Sequence, residues 1–545
     1  MLGRHARIAS RMPSASEALS NCELRIANCE LRASAASPRH YPRRAMLQVA
    51  AVLISALLMW AAFPPLDWGL VIFAAPAPFL WALRRVSTPR EAGWLGFLFG
   101  VAFYGLLLIW IFVLGAVAWI PLTIVMALWA AGFALIMYLG RTWSPWRWWL
   151  LATGSWAMWE FLRARFPLGG FPWGSVGFPV GTLAWPRGAA QWVGATGWGV
   201  IVIGVAAGIV LMFDEEHDRR PLEIAGSVVV LLTLMGAMFA PDAAGPAVRV
   251  AIVQGNSPCP RVHCDNEKVR IYTNHMSLTN LIEPGAADLV VWGEDSFGGD
   301  VNPTLNEDVR RDMGDQAARI GAYLIAGGTR PGDPGFFENF NVVFDPSGEM
   351  IGEYLKRHGV PFGEYIPFRK ILQFIPQLDA VPNDLNPGHG PVVFPITVAE
   401  GAGVFGSVIS FEGAFARTMR SEVRAGAQLI VVATNEASYG RGAASDQLIG
   451  MVRMSAASLG VDVVHAAVTG RSTLVRADGS VGRKTDLFDD DVLQGVVNLQ
   501  TSRRTVYSVA GDWLQILAIL GAIGVLAGSL GGTRSRDFKI RPQRR

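Results

Sequence analysis

The chain has 545 residues, of which 51% are apolar and 17% charged, with a formal net charge of +3. That length exceeds one ordinary domain, and the charged fraction falls short of the roughly one quarter usual in soluble proteins. No P-loop, no GxGxxG and no clustered basic–aromatic patch occurs, so neither a nucleotide nor a nucleic acid is an expected partner. The 19 Trp suit a chain that meets the membrane–water interface, where indole rings partition.

Residues 1–45 are Arg-rich and contain a short repeat, Cys22-Glu-Leu-Arg followed by Cys29-Glu-Leu-Arg. They lack the apolar run of a secretory signal. The segment reads as a disordered tail, or as an overlong start ahead of Met46. Beyond it, apolar stretches long enough to cross a bilayer lie at about 47–63, 67–83, 92–116, 118–139, 147–163, 191–213, 222–240 and 512–531. This predicts a seven-span membrane domain over 46–240, a water-facing domain over 241–511, a closing span over 512–531 and a basic tail over 532–545. Glu160 and Arg163 close the fifth segment. Ionisable residues at such positions are costly and often functional.

Arginines alternate between the connections. Arg39, Arg43 and Arg44 precede the first segment; Arg84, Arg85 and Arg90 follow the second; Arg141 and Arg147 follow the fourth; Arg219 and Arg220 follow the sixth. The carboxyl end adds Arg534, Arg536, Lys539, Arg541, Arg544 and Arg545. The positive-inside rule then places both termini in the cytoplasm and residues 241–511 outside. Arg163, Arg165 and Arg187 break the pattern. They sit in a loop rich in Gly, Pro and Trp, which is expected to lie in the interface.

Within 247–500 short apolar runs recur at Val248–Val253, Leu289–Trp292, Ala322–Ala326, Val404–Ser410, Leu429–Ala433 and Val463–Val468, with amphipathic stretches such as 266–282 and 304–320 between them. Strands alternating with helices predict an α/β domain. Cys259 and Cys264 fall in this part. In an oxidising compartment they can close a small disulfide loop, and two free thiols are an equally open reading. Neither a CxxC pair nor a Cys/His zinc spacing occurs, so no metal and no cofactor are expected.

Three strand ends carry polar groups: Val291-Trp-Gly-Glu294; Tyr354-Leu-Lys356 leading into Val360-Pro-Phe-Gly-Glu364; and Ser407-Val-Ile-Ser410-Phe411-Glu412. In order and spacing they resemble the glutamate, lysine and nucleophile motifs of the nitrilase superfamily. Val360-Pro-Phe-Gly-Glu364 and Thr434-Asn-Glu-Ala-Ser-Tyr439 resemble its acyltransferase branch, and Trp159-Glu-Phe-Leu-Arg163 with Gly170-Phe-Pro-Trp173 resembles a span and re-entrant loop of the apolipoprotein N-acyltransferases. The resemblance covers roughly residues 46–531. It implies a four-layer α-β-β-α sandwich set into an eight-span protein of the bacterial cytoplasmic membrane, with the sandwich in the periplasm.

The same resemblance implies an activity. A fatty acyl chain passes from a phospholipid to the amino terminus of a diacylglyceryl-cysteine lipoprotein by way of a covalent acyl-enzyme, and the protein acts as a monomer. Glu294 is then the base, Lys356 lies beside the developing oxyanion, and Glu364, Phe411 and Glu412 support them. Trp173 and Glu160 stand either for lipid or substrate access or for interface anchoring and helix packing. The family's nucleophile is a Cys in Cys-Tyr-Glu; the matching string here is Ser410-Phe411-Glu412. A hydroxyl is a far weaker acid than a thiol of pKa about 8.5. A carboxylate is therefore poorly matched to activate it. The alternative reading is a catalytically silent paralogue that binds lipid or lipoprotein.

Overall fold

The computed structural model describes residues 40–534, apart from 215, 260–263, 373 and 502–503. The expectation of a tail or misplaced start falls mostly outside the described residues. A helix runs from His40 to Ala61, so regular structure begins ahead of Met46. Helical structure accompanies each of the eight expected apolar segments. Among the described residues, four helices are long and apolar enough to cross a membrane: Arg43–Ala61, Ala116–Gly140, Ala190–Met212 and Arg220–Met238.

The second expected segment is not one continuous α-helix. A 3₁₀ turn over Gly69–Phe73 gives way at Pro76 to a short helix over Ala77–Arg84. Proline lacks the N–H that a continuing helix needs. The third segment is a Pro89–Leu107 helix followed by a 3₁₀ turn that ends at Gly115. Thr88 caps that helix by accepting from the Glu91 N–H at 3.1 Å, and Pro89 takes the first-turn position where its missing donor does no harm.

Small residues let these helices approach closely. A Cβ on Gly100 would lie 2.4 Å from the Ala127 Cα, and one on Gly96 would lie 2.6 Å from the Ala134 Cβ. This is the small-residue packing that serves where no water drives association. The last helix, Trp513–Arg534, docks on Pro145–Arg163 in the same way, with the Ala518 carbonyl 2.1 Å from where a Gly154 Cβ would stand. Outward faces are apolar: Ile120, Ile124, Leu128, Leu135 and Leu139 are exposed on one helix, and Leu517, Leu520 and Ile523 on the last. Such faces suit a hydrocarbon solvent.

The α/β part is built on two sheets. The first contains β1 (Ala247–Gln254), β2 (Leu289–Trp292), β3 (Phe297–Gly298), β4 (Tyr323–Pro331), β5 (Phe336–Phe344), β6 (Met350–Leu355), β7 (Asp384–Leu385) and β14 (Asp491–Asn498), ordered β14-β1-β2-β4-β5-β6, with β3 beside β4 and β7 beside β5. The second contains β8 (Val393–Val398), β9 (Gly401–Ile409), β10 (Leu429–Thr434), β11 (Asp462–Ala467), β12 (Thr473–Val475) and β13 (Val481–Lys484), ordered β13-β12-β11-β10-β9-β8.

One apolar core lies between the sheets. It joins Val250, Ile252, Val291 and Ile325 of the first to Ile396, Phe405, Val431 and Val464 of the second. The opposite face of the first sheet packs on helices Glu267–Thr279 and Glu307–Ile320. The opposite face of the second packs on Ala416–Ala425 and Ala444–Leu459. The layers are therefore α-β-β-α. All six expected strands are present, Leu289–Trp292 to the residue.

The three arginines that broke the charge pattern are held by protein. Arg163 donates to the carbonyls of Phe171 and Trp173, Arg165 pairs with Asp512 at 3.0 Å, and Arg187 binds the Gly181 and Asp478 carbonyls. Phe405 fills the space between the sheets and is fully buried. Phe405→Ala is expected to cost about 3–5 kcal/mol, read as a lower thermal unfolding midpoint of the purified protein; an unchanged midpoint would contradict its place in the inter-sheet core.

Candidate active site

The three motif ends meet where the two sheets present their strand termini. Glu294 stands two residues past β2, and Lys356 directly follows β6. The Lys356 ammonium donates to Glu294 Oε1 at 2.9 Å and to Glu364 Oε1 at 2.7 Å. It is 1% exposed, so the two carboxylates replace its hydration. Burial alone would lower the lysine and raise the glutamate. The Glu294–Lys356 attraction outweighs both, so Glu294 is held below the ordinary carboxylate range and Lys356 above the ordinary lysine range. The pair is thus a carboxylate and an ammonium at neutral pH.

Ser410 begins the turn after β9 with φ of 52°. Only a surrounding structure that over-determines it holds a non-glycine residue there, and such strain recurs at functional turns. The Thr434 hydroxyl donates to Ser410 Oγ at 3.4 Å, and Ser410 stands close enough to the Glu294 carboxylate to help favour its charged form. A candidate nucleophile therefore stands beside a buried carboxylate–ammonium pair.

Glu412 is fully buried. Its Oε1 accepts from the N–H groups of Arg357 and His358 at 2.8 and 3.0 Å. Its Oε2 accepts from Tyr354 Oη and the Ile409 N–H, both at 2.8 Å. This carboxylate ties the lysine strand to the serine turn. Glu364 Oε2 accepts from the Val360 N–H at 2.8 Å, which folds the Val360–Glu364 loop back onto Lys356.

Phe411 stacks on Phe171 and Trp173, with ring centroids 6.0 and 6.3 Å apart. The Trp173 indole donates to Gln447 Oε1 at 2.7 Å. Glu160 accepts from the Trp156 indole and the Val176 N–H. Trp173 and Glu160 are both buried, and each holds the loop that carries Phe171 beside the serine turn. His358, two residues past Lys356, packs on Phe411 and Phe415. Burial, aided by the charges of Arg417 and Lys356, pushes it down to about 4. No hydrogen bond joins it to Ser410 among the described residues.

Asn339 escaped the motif reading, and Asn435 stood within the quoted Thr434–Tyr439 string without an assigned part. Asn339 donates from one amide nitrogen to Glu294 Oε1 at 2.8 Å and to Glu364 Oε1 at 3.1 Å. Asn435 gives its backbone N–H to Glu294 Oε2 at 3.2 Å. Asn339 and Asn341 are alternate residues of β5, on one face of the strand, and Asn341 donates to the Ser407 hydroxyl at 2.7 Å. Two amides at that spacing are a legible sign of a polar interior. Cys259 and Cys264 are joined by a disulfide, which decides between the two readings left open for them.

The fold and this constellation define a nitrilase-type carbon–nitrogen hydrolase domain. A family model described as Carbon-nitrogen hydrolase matches residues 249–507, and one described as Apolipoprotein N-acyltransferase N-terminal domain matches 55–208. An apolipoprotein N-acyltransferase from Geobacter metallireducens is 30% identical over 519 residues, covering 89% of this chain and 95% of its own. One from Mycolicibacterium smegmatis is 27% identical, covering 88% and 84%. Among solved structures, an amidase from Nesterenkonia sp. aligns at 17% identity and a TM-score of 0.34, covering 48% of this chain and 92% of that one. The chain belongs to the apolipoprotein N-acyltransferase family.

Glu412→Gln replaces an oxygen that accepts two donors with an NH₂ that accepts none. It is expected to cost about 2–4 kcal/mol, measured as a fall in thermal midpoint; an unchanged midpoint would mean that Glu412 does not join the two motifs.

Proposed function

We propose that this chain transfers an acyl chain from a phospholipid to the amino-terminal amine of a diacylglyceryl-cysteine lipoprotein, through an ester on Ser410. The observation that carries this reading is the buried Glu294–Lys356 ion pair, 2.9 Å across, beside the left-handed turn that begins at Ser410. A chain relieved of catalysis has no need to keep two buried charges beside a strained serine.

Glu294 takes the Ser410 proton as Oγ attacks the ester carbonyl. Negative charge gathers on the former carbonyl oxygen, where the Lys356 ammonium and the backbone N–H after Ser410 lower its energy. Collapse breaks the bond to the lysophospholipid oxygen, which leaves with the proton from Glu294. The lipoprotein amine then attacks the Ser410 ester and gives its proton to Glu294. Collapse to the amide returns a proton to Ser410 Oγ. No cofactor enters either half.

For topology, we read 46–240 as seven spans, 241–511 as the periplasmic domain, 512–531 as the eighth span and 532–545 as a basic cytoplasmic tail, with both termini in the cytoplasm of a bacterial inner-membrane monomer. The alternation of arginines supports it. So does the engagement of Arg163, Arg165 and Arg187 within the protein, since charges already bonded give no topological signal.

Incubation with phospholipid is expected to add one acyl mass to the intact protein, and Ser410→Ala to abolish it. A native chain with no adduct that also leaves lipoprotein amino termini unacylated would overturn the proposal. Ser410→Cys is expected to speed formation of the acyl-enzyme by about tenfold or more, because the thiol is the stronger acid.

The pH dependence follows from the ion pair. Glu294 is depressed, so its carboxylate is fully present above the ordinary glutamate range and is lost only as pH falls through its lower folded value. Lys356 is raised, so its charge persists through the ordinary lysine range. The acylation half-reaction, measured without amine acceptor, is expected to be flat across about pH 6–8. A midpoint near neutrality would point to a base other than Glu294.

A further inference from the structure

The helix Ala416–Ala425 follows the serine turn and carries Arg417, Arg420 and Arg424 toward a cavity of about 420 Å³ lined also by Pro391, Ser421 and Ala425. Arg417 donates to the carbonyls of Ala164 and Gly169 at 2.7 and 2.9 Å. Arg420 donates to the carbonyls of Tyr507, Ser508 and Val509. Arg424 is exposed. These bonds fix two guanidinium groups without neutralising them. Among the described residues, no carboxylate lies at ion-pair distance from any of the three.

The acid that acts on Arg417 is Asp512. It is already engaged by Arg165 at 3.0 Å, the Thr196 hydroxyl at 2.9 Å and the Tyr507 hydroxyl at 3.0 Å. Glu422, on the same helix, is buried and paired with Arg357. Burial and the like charge of Arg165 push Arg417 down to about 10, the direction of a cation short of counter-charge.

The cavity also has a level. Ala164 lies one residue past the Pro145–Arg163 helix, and Tyr507–Val509 lie just ahead of Trp513–Arg534. Those two helices pack together, and on the topology proposed above their ends mark the bilayer surface, where headgroup phosphates sit. Arg417 is seven residues from Ser410 along the chain. Its guanidinium covers Phe415, whose ring packs on Phe411.

We propose that Arg417, Arg420 and Arg424 form the site for the phosphodiester of a phospholipid, seating the headgroup at the bilayer surface while the acyl ester reaches Ser410. The chemistry is that of an anionic phosphate oxygen held by guanidinium forks. The source is the lipid rather than a soluble phosphate, because the cavity opens beside the helix ends. This rests on the acyl-transfer reading only for the purpose of binding; the binding itself stands apart from turnover.

The test uses the full-length purified chain and native mass spectrometry. Phosphatidylglycerol and a diacylglycerol of the same acyl composition are compared as ligands. Phosphatidylglycerol is expected to bind about tenfold tighter. Arg424→Gln, which removes an exposed side chain with no fold partner at ion-pair distance, is expected to reduce that preference severalfold. Arg417→Lys, which keeps the charge but loses the fork, serves as the second variant.

Equal binding of the two lipids would overturn the proposal, as would a preference unchanged in both variants. Glycerol phosphate that displaces the lipid at equal concentration would overturn the assignment to a lipid phosphate. Phosphate-dependent binding in a protein that forms no Ser410 adduct would sustain this site while sinking the acyl-transfer reading.

Discussion

A lysine ammonium buried between two carboxylates organises the centre of this molecule. Lys356 has exchanged its water for Glu294 and Glu364, an exchange that is stable only when every partner is present and aligned. The partners come from separate places: the end of β2, the end of β6 and the loop closing at Glu364. Asn339 from β5 holds both acids from a third side. Loss of any one would leave a buried charge unmatched. The first sheet, the Val360–Glu364 loop and this charge cluster therefore have to assemble together.

Glu412 extends the same logic to the second sheet. Its four donors belong to the lysine strand and the serine turn, so the two halves of the sandwich share one carboxylate as well as one apolar core. Two buried glutamates thus have different surroundings. Glu294 is ionised and faces the serine hydroxyl. Among the described residues, Glu412 has no cation at hydrogen-bond distance and is held by four neutral donors, three backbone N–H groups and the Tyr354 hydroxyl.

Much of this was legible in the sequence where one physical signal dominated. Leu289–Trp292 and Leu429–Ala433 are buried on both faces, so they appear as unbroken apolar runs. β5 was hidden because Glu338, Asn339 and Asn341 interrupt it; of these, Asn339 bonds Glu294 and Glu364, while Glu338 pairs with Arg330. β8 was hidden by Pro395, which argues against a strand except at a sheet edge, where β8 lies, its inward residues being Phe394, Ile396 and Val398. Glu294, Lys356, Ser410 and Glu364 could be found because each follows a recognisable strand end or loop string. Asn339 could not be found that way, since it acts from mid-strand across a distance in sequence that only the folded sheet closes. The second apolar segment concealed its break because composition records hydrophobicity and not the missing donor of Pro76.

The stack of Phe171, Trp173 and Phe411 has a consequence for how this molecule can be taken apart. The ring next to the serine rests on rings supplied by the helical half, and Arg417 fastens onto carbonyls of the same half. An excised α/β fragment would retain Glu294, Lys356 and Ser410 yet lose the wall against which its serine turn is set. Recombination between relatives should therefore place its crossover points away from this seam, exchanging the Phe171–Trp173 loop and the Ser410–Arg417 segment as one piece.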